Sequence, residues 1–144
     1  MKRIVIGTAV IATLAFATVA FANLRHYHGK VAGGGELRLV TKVRDGETIK
    51  VKRFIFNRVP MACDDGASTV GDVGTPPPPM RVNEEHRFHG DFNSPSGAKR
   101  LRIRGRLKND DEKARGTLRV TGDFGGGSTN CDTGKTRWRA KHGR

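Results

Sequence analysis

The sequence has few aromatic residues and no helical pattern. Only 6% of its 144 residues are aromatic, with one tryptophan and one tyrosine. No stretch beyond residue 22 carries apolar residues at the spacing of an amphipathic helix. The 19 glycines and 6 prolines make up about 17% of the chain, which is below the share that marks low-complexity sequence. These absences disfavour a helical fold, collagen and disorder.

Motifs of enzyme active sites are also missing. The chain has no Gly-x-Ser-x-Gly elbow, no His-Glu-x-x-His pair and no glycine-rich phosphate loop before a helix. Its clustered carboxylates, Glu84-Glu85 and Asp110-Asp111-Glu112, are typical of soluble turns. A hydrolase built from dispersed carboxylates is the enzymatic alternative. The sequence favours a domain without catalytic activity.

The first 22 residues predict export. Lys2 and Arg3 precede an apolar run over residues 4–19, which ends in Ala20-Phe21-Ala22. A positive start, an apolar stretch and small residues at the cleavage position are the layout of a secretory signal peptide. We expect cleavage before Asn23, leaving 23–144 as a single secreted or extracytoplasmic domain with no transmembrane span. An uncleaved anchor is the alternative, because the run approaches the length of a spanning helix.

The chain that remains after this cleavage is strongly basic. It holds 25 basic and 14 acidic side chains, a net charge of +11. Its two cysteines, Cys63 and Cys131, predict a disulfide in an exported protein. A catalytic thiol or a metal site is the alternative. On the chain-entropy relation, a closed loop of about 68 residues stabilises the fold by roughly 4 kcal/mol.

Apolar and polar residues alternate with a period of two, which predicts an all-β fold. The pattern indicates strands at about 27–31, 36–44, 47–59, 86–92, 99–108, 115–124 and 135–141. Short loops between these segments favour a meander. We therefore expect a single small antiparallel β-sandwich or up-and-down barrel of about seven to eight strands.

Two details of strand pairing can be predicted. Asp45-Gly46 indicates a tight hairpin, because both residues tolerate a positive φ. In the returning strand Ile49 and Val51 point inward, and the inward phase then changes to Phe54. A β-bulge near Lys52-Arg53 reconciles the two halves.

Residues 64–80 are rich in glycine and proline, including the four prolines at 76–79. Proline cannot donate a hydrogen bond to a sheet. We interpret this segment as a long surface loop with at most a short edge strand near Val70.

Basic side chains occupy the outward positions of the predicted strands, and like charges on neighbouring strands cost stability. Bound anions would relieve that cost, whereas a merely solvated surface is the alternative. The predicted anion-binding residues are Arg102, Arg104, Arg106, Lys108, Arg137, Arg139 and Lys141. Sequence-specific nucleic-acid binding is not expected, because base stacking needs exposed aromatic rings and the pattern turns Phe88, Phe92, Phe124 and Trp138 inward.

Two sets of residues are weak candidates for metal binding. The predicted disulfide would bring Asp64, Asp65 and Asp132 together, and three carboxylates can hold Ca²⁺. Simple turn formation is the alternative, with Arg137 as a counter-charge. Zinc or copper could bind imidazoles if His26 and His28, which share one face of a strand, are joined by His86 or His89. Only one of the latter two can join them, because a spacing of three places them on opposite faces.

Several motifs are shared with a group of known sequences. They are VPMACDDG at 59–66, GTLRVTGDF at 116–124 and CDTG at 131–134, followed by Trp138. With these motifs the chain resembles uncharacterised secreted all-β proteins of high-GC bacteria. The resemblance covers nearly all of 23–144 and implies a β fold, but no established activity and no catalytic residues.

The leading hypothesis is a secreted, non-enzymatic β domain that binds an anionic cell-surface or extracellular polymer, such as a polysaccharide or cell-wall polymer, through a basic strand face. The alternatives are a secreted hydrolase and a structural envelope protein. No cofactor is expected apart from the Ca²⁺ alternative.

Overall fold

The computed structural model describes residues 23–75, 79–108, 110–124 and 130–143. The predicted leader and the glycine-rich stretch 125–129 lie outside the described residues. Within the described ranges, no helix is long and apolar enough to cross a membrane. The strands are β1 Asn23–Val31, β2 Glu36–Arg44, β3 Glu47–Ala62, β4 Ser68–Thr75, β5 Met80–Arg81, β6 Arg87–Asn93, β7 Lys99–Lys108, β8 Lys113–Gly122, β9 Cys131–Asp132 and β10 Thr136–His142.

Six strands close into an antiparallel barrel. The order β1-β2-β3-β9-β8-β10 returns to its start because β10 pairs with both β8 and β1. On the far edge of β8 the sheet continues into β7 and β6, while β4 and β5 pair with β3. The predicted small all-β fold is confirmed. There are ten strands in the described residues rather than seven or eight, and two of them, β5 and β9, are only two residues long.

The apolar faces of the strands fill the interior, as the alternation predicted. Phe54 on β3 and Phe92 on β6 have ring centroids 5.9 Å apart, and Phe88 on β6 lies 6.2 Å from Trp138 on β10. These contacts join strands that are distant in the sheet order. The largest fully buried side chains are Trp138, Tyr27, Phe54, Phe56, Leu37, Leu39, Ile103, Leu118, Val51, Val59, Val120 and Thr41.

The β2–β3 hairpin has the predicted turn and the predicted bulge. Asp45 and Gly46 both have positive φ, 52° and 83°. Val40 pairs with Arg53 and Thr41 pairs with Val51, so Lys52 is the extra residue of a bulge. The bulge restores the inward phase for the second half of β3.

A second bulge corrects the prediction for Ile49. Lys42 pairs with Lys50 and Val43 pairs with Thr48, which leaves Ile49 as the extra residue. As a result Thr48 is buried and Ile49, predicted to point inward, is only half-buried. The alternation pattern alone did not reveal this second shift.

The interpretation of 64–80 as a long loop needs correction. The segment contains β4, which pairs with β3 from Phe54 to Ala62, and it ends at β5. The edge strand expected near Val70 is thus eight residues long. Gly71 and Gly74 lie within it and carry no side chain, so the apolar alternation that marks a strand is missing from the sequence.

The predicted disulfide is present. Cys63 and Cys131 are bonded, and both are buried. They form a small separate cluster with Met61 and the partly buried Phe124. Next to the bridge, Ala62 on β3 pairs with Asp132 on β9, which is part of the closure of the barrel.

Candidate anion-binding face

Basic side chains line up directly across five neighbouring strands on the outer surface. Arg87 on β6 is opposite Arg106 on β7, which is opposite Arg115 on β8. Arg115 is in turn opposite Arg139 on β10, and Arg139 is opposite Lys30 on β1. At about 4.8 Å per strand, this row extends about 19 Å.

Two further rows flank it on β7, β8 and β10. The distance between rows is about 6.7 Å, because side chains on one face of a strand are two residues apart. One flanking row consists of Lys108, Lys113 and Lys141, and the other of Arg104, Thr117 and Arg137.

The basic residues of these rows on β7, β8 and β10 have no carboxylate partner. No ion pair or side-chain hydrogen bond involves them among the residues that the structure describes. All are exposed except Lys108, which is half-buried. We call them the open basic band: Arg104, Arg106, Lys108, Lys113, Arg115, Arg137, Arg139 and Lys141.

Aspartates neutralise the face beyond one side of the band. Asp91 accepts hydrogen bonds from Arg100 Nε at 2.8 Å and Arg102 Nε at 3.2 Å. Asp132 accepts them from Arg119 Nε at 3.1 Å and Nη2 at 2.5 Å. Hydrogen bonds from Arg100 hold the pKa of Asp91 below its ordinary value, and those from Arg119 do the same for Asp132. The basic face is therefore divided into a paired part and an unpaired part.

Shallow depressions lie between the basic side chains. One of about 430 Å³ has Gly105 and Gly116 in its lining together with six arginines. A second of about 470 Å³ is lined by three lysines and two arginines of the band, together with two alanines. Their charged lining residues are all basic. The first depression is lined by Arg87, Arg104, Arg106, Arg115, Arg137 and Arg139.

The structure places the seven predicted anion-binding residues on one face, but they differ in whether they have a carboxylate partner. Six of them belong to the open basic band, whereas Arg102 is bound to Asp91. Two band members, Lys113 and Arg115, were not predicted. Arg115 was taken only as the start of a strand, although its spacing of four from Arg119 places both on the outward face.

The predicted metal sites are not formed in the described residues. No group of three His, Cys, Asp or Glu side chains there could hold a metal ion. Of the carboxylates Asp64, Asp65 and Asp132, the last is held by Arg119. The sequence had indicated Arg137 as the counter-charge of this cluster. In the structure the counter-charge of Asp132 is Arg119. Within the same described ranges His26, His28, His86 and His89 do not form such a group either, and His86 contacts Asp111.

One carboxylate that was predicted to be a solvated turn residue is buried. Asp111, in the β7–β8 turn, is only 4% exposed. Its carboxylate lies 3.3 Å from His86 Nδ1 and 3.7 Å from Arg25 Nη1, and its main-chain oxygen accepts a hydrogen bond from Tyr27. Burial raises the pKa of the Tyr27 phenol above its ordinary value. Arg25 and Tyr27 belong to β1, so their contacts with Asp111 attach the β7–β8 turn to that strand.

The aromatic side chains point away from the basic face, as predicted. Phe88 and Trp138 are buried, and Phe92 and Phe124 are partly buried against the core. The only large apolar side chains exposed in the described residues are Leu24 and Val70. The outer surface of β7, β8 and β10 therefore offers charge and no stacking platform.

Together these features define a small disulfide-bonded β-barrel with a basic outer face. Comparison with known proteins finds no matching family model, no matching curated protein and no matching solved structure. A functional assignment therefore depends on the geometry and charge of this face.

Proposed function

We propose that the protein is an exported, non-enzymatic domain that holds an anionic cell-surface or extracellular polymer on its open basic band. One observation carries the proposal: the band has no carboxylate partner within the described part of the chain. Like charges opposite each other destabilise a sheet, and a bound polyanion would neutralise them. An anionic ligand gives this arrangement a physical role.

The dimensions of the surface favour a polymer over a small molecule. The band covers about 10 Å across β7, β8 and β10 and about 13 Å along them. Lys30 continues its central row on β1, whereas Arg87 on β6 is paired with Glu85 at 3.3 Å. The depressions between the side chains are shallow and lie side by side. A polymer with repeated negative groups can occupy several of these depressions at once. After the first group is bound, each further contact is intramolecular and increases the affinity.

Export belongs to the same proposal. Its support is the leader pattern over residues 1–22 and the disulfide, which persists in an oxidising compartment. Polymers in that setting that would be attracted to a basic surface include acidic cell-wall polymers, anionic polysaccharides and extracellular DNA. The resemblance to secreted all-β proteins of high-GC bacteria is proposed on the motifs given above.

Nucleic acid would be bound only through its phosphates. Reading single-stranded bases needs exposed aromatic rings, and the aromatic residues of the described ranges are in or against the core. We therefore expect no sequence preference if DNA is retained.

One observation favours a hydrolase as a second candidate. Asp111 is a buried carboxylate next to His86, an arrangement that general acid–base catalysis can use. Hydrolysis of a polymer that is lost in an Asp111→Asn variant, while binding persists, would support the enzyme over the binding domain.

The test is retention of the oxidised domain on four immobilised probes: heparin, polyphosphate, polygalacturonate and duplex DNA. Each is run at low and at near-physiological salt. We expect retention on at least one probe to persist at physiological salt, because several charges are engaged together. Equal weak retention on all four that disappears at about 0.15 M salt would mean that the face is only solvated.

A further inference from the structure

Thr117 is the short residue in the middle of long basic side chains. It lies on the outward face of β8, directly opposite Arg104 on β7 and Arg137 on β10. Its side chain is half-buried, and no hydrogen bond of its hydroxyl is formed with the described residues. The hydroxyl is thus free to donate to a ligand.

Every outward-facing neighbour of Thr117 is basic. Two are directly opposite, two lie two residues away on β8, and three are diagonal on the adjacent strands. The eighth, Lys135, directly precedes β10 and lines the same depression as Thr117. Six of the eight have no carboxylate partner in the described ranges, while Arg102 and Arg119 are bound to aspartates. The eight are Arg104, Arg137, Arg115, Arg119, Arg102, Arg106, Lys135 and Arg139.

The absence of a long side chain at this position opens space for a ligand group. Two adjoining depressions, of about 430 and 230 Å³, both include Thr117 in their lining. They also share Arg104. A group seated above Thr117 is therefore within the ring of basic side chains rather than beside it.

We propose that Thr117 marks an anchoring subsite that takes one tetrahedral oxyanion, a phosphate or sulfate group, of the bound polymer. This inference rests on the proposed function. Guanidinium forks approach the position from three strands, and the oxygens of a tetrahedral group point in several directions, so that it can accept hydrogen bonds from forks on different strands. The two oxygens of a carboxylate lie in one plane, so a carboxylate leaves most of the ring without a partner.

A carboxylate introduced by substitution of Thr117 tests the subsite. In Thr117→Glu the new side chain places a negative charge among the basic neighbours and occupies the position of the phosphate or sulfate group. We expect affinity for polyphosphate to fall about tenfold, the loss of one charge-assisted contact. The thermal midpoint should stay unchanged or rise, because the new carboxylate has basic partners on both adjacent strands.

Thr121→Glu is the matched control. Thr121 is also half-buried on β8, and its outward neighbours include the carboxylate of Asp132. The two variants have the same net charge, so an effect of overall charge reduces binding equally. We expect Thr121→Glu to weaken polyphosphate binding less than about threefold. Thr117→Val, which removes only the hydroxyl, provides a second variant that keeps the shape.

The choice of probe distinguishes the subsite at Thr117 from the proposed binding of an anionic polymer. Wild-type protein should bind polyphosphate or heparin about tenfold more tightly than polygalacturonate at equal charge concentration, and the stronger of the two identifies phosphate or sulfate. Equal binding to all three, or equal losses in Thr117→Glu and Thr121→Glu, would overturn the subsite and leave polymer binding intact. Failure of the wild type to bind any of the three would overturn the proposed function itself.

Discussion

Arg106 and Arg115 lie directly opposite each other on adjacent strands, and neither has a carboxylate partner among the residues that the structure describes. Arg139 faces Arg115 from the other side. An opposed pair of like charges reduces the stability of a sheet by up to about 1 kcal/mol. The chain has carboxylates and uses two of them on this same face, at Asp91 and Asp132. With 25 basic and 14 acidic side chains after residue 22, some basic residues must lack a carboxylate partner. What the structure adds is their location, because the two paired aspartates of this face lie outside the band.

Polyanions should stabilise the folded protein. A ligand that binds only the folded state at one hundred times its dissociation constant adds about 2.7 kcal/mol. We expect polyphosphate to raise the thermal midpoint, measured by the fluorescence of the single tryptophan, Trp138. Sodium chloride at the same ionic strength is the control. An equal rise with sodium chloride would show that general screening, and not binding, relieves the repulsion.

Acid should destabilise the protein through Asp132. Its folded pKa is lowered by hydrogen bonds from Arg119, so its contribution to stability is complete above the ordinary value of 3.8. As the pH falls below that value and through the lowered pKa, the contribution is lost. Urea unfolding between pH 5 and pH 2 should show a smaller acid loss for Asp132→Asn than for wild type. Identical pH profiles would mean that the ion pair adds nothing.

Gly116 should not tolerate a larger side chain. A Cβ there would overlap the main-chain oxygen of Arg104 and lie 2.7 Å from Trp138 Cζ2. We expect Gly116→Ala to lower the free energy of unfolding by about 1–3 kcal/mol. A Cβ at Gly74 would have Ile55 Cγ2 as its nearest atom, at 3.5 Å. Gly74→Ala should therefore change the free energy of unfolding by less than about 1 kcal/mol. Equal effects of the two changes would contradict the close packing under β8.

Removing the disulfide should reduce stability and leave the binding face intact. The bridge joins residues 68 positions apart, and a loop of that size corresponds to about 4 kcal/mol. Denaturant unfolding of a Cys63→Ala/Cys131→Ala double variant measures the loss. At a temperature where this variant is folded, polyphosphate affinity should equal that of wild type, because the band lies on β7, β8 and β10. A large loss of affinity in the folded variant would show that the face depends on the bridge.

The local alternation of apolar and polar residues was sufficient to predict the buried face of strands in which that alternation is unbroken. In β7 the residues Leu101, Ile103 and Leu107 are all buried as predicted. The Lys52 bulge was also visible, because the apolar phase changes within one strand. The Ile49 bulge was not, since the polar Thr48 takes the inward position. Where glycine interrupts the alternation, as in β4, the sequence carries no equivalent signal.

The binding face required the register of the sheet. Alternation placed Arg104, Arg106 and Arg139 on an outer surface, but it did not show which side chains lie opposite one another. The contact of Arg119 with Asp132 joins residues on β8 and β9 and depends on barrel closure. Thr117 is inconspicuous in the sequence, because its basic neighbours come from three strands. Pairing across strands, rather than composition, separates the open band from the neutralised part.

The most direct measurement compares polyphosphate affinity between two double variants with the same loss of charge. Arg106→Gln/Arg139→Gln removes two members of the open basic band, and Arg44→Gln/Arg53→Gln removes two exposed arginines of β2 and β3. The account predicts about a hundredfold loss for the first and less than about threefold for the second. The salt dependence of log K should become shallower only for the first, by about one for each lost contact. Equal losses in the two variants would contradict the account, because binding would then follow net charge and not the aligned arginines of β7, β8 and β10.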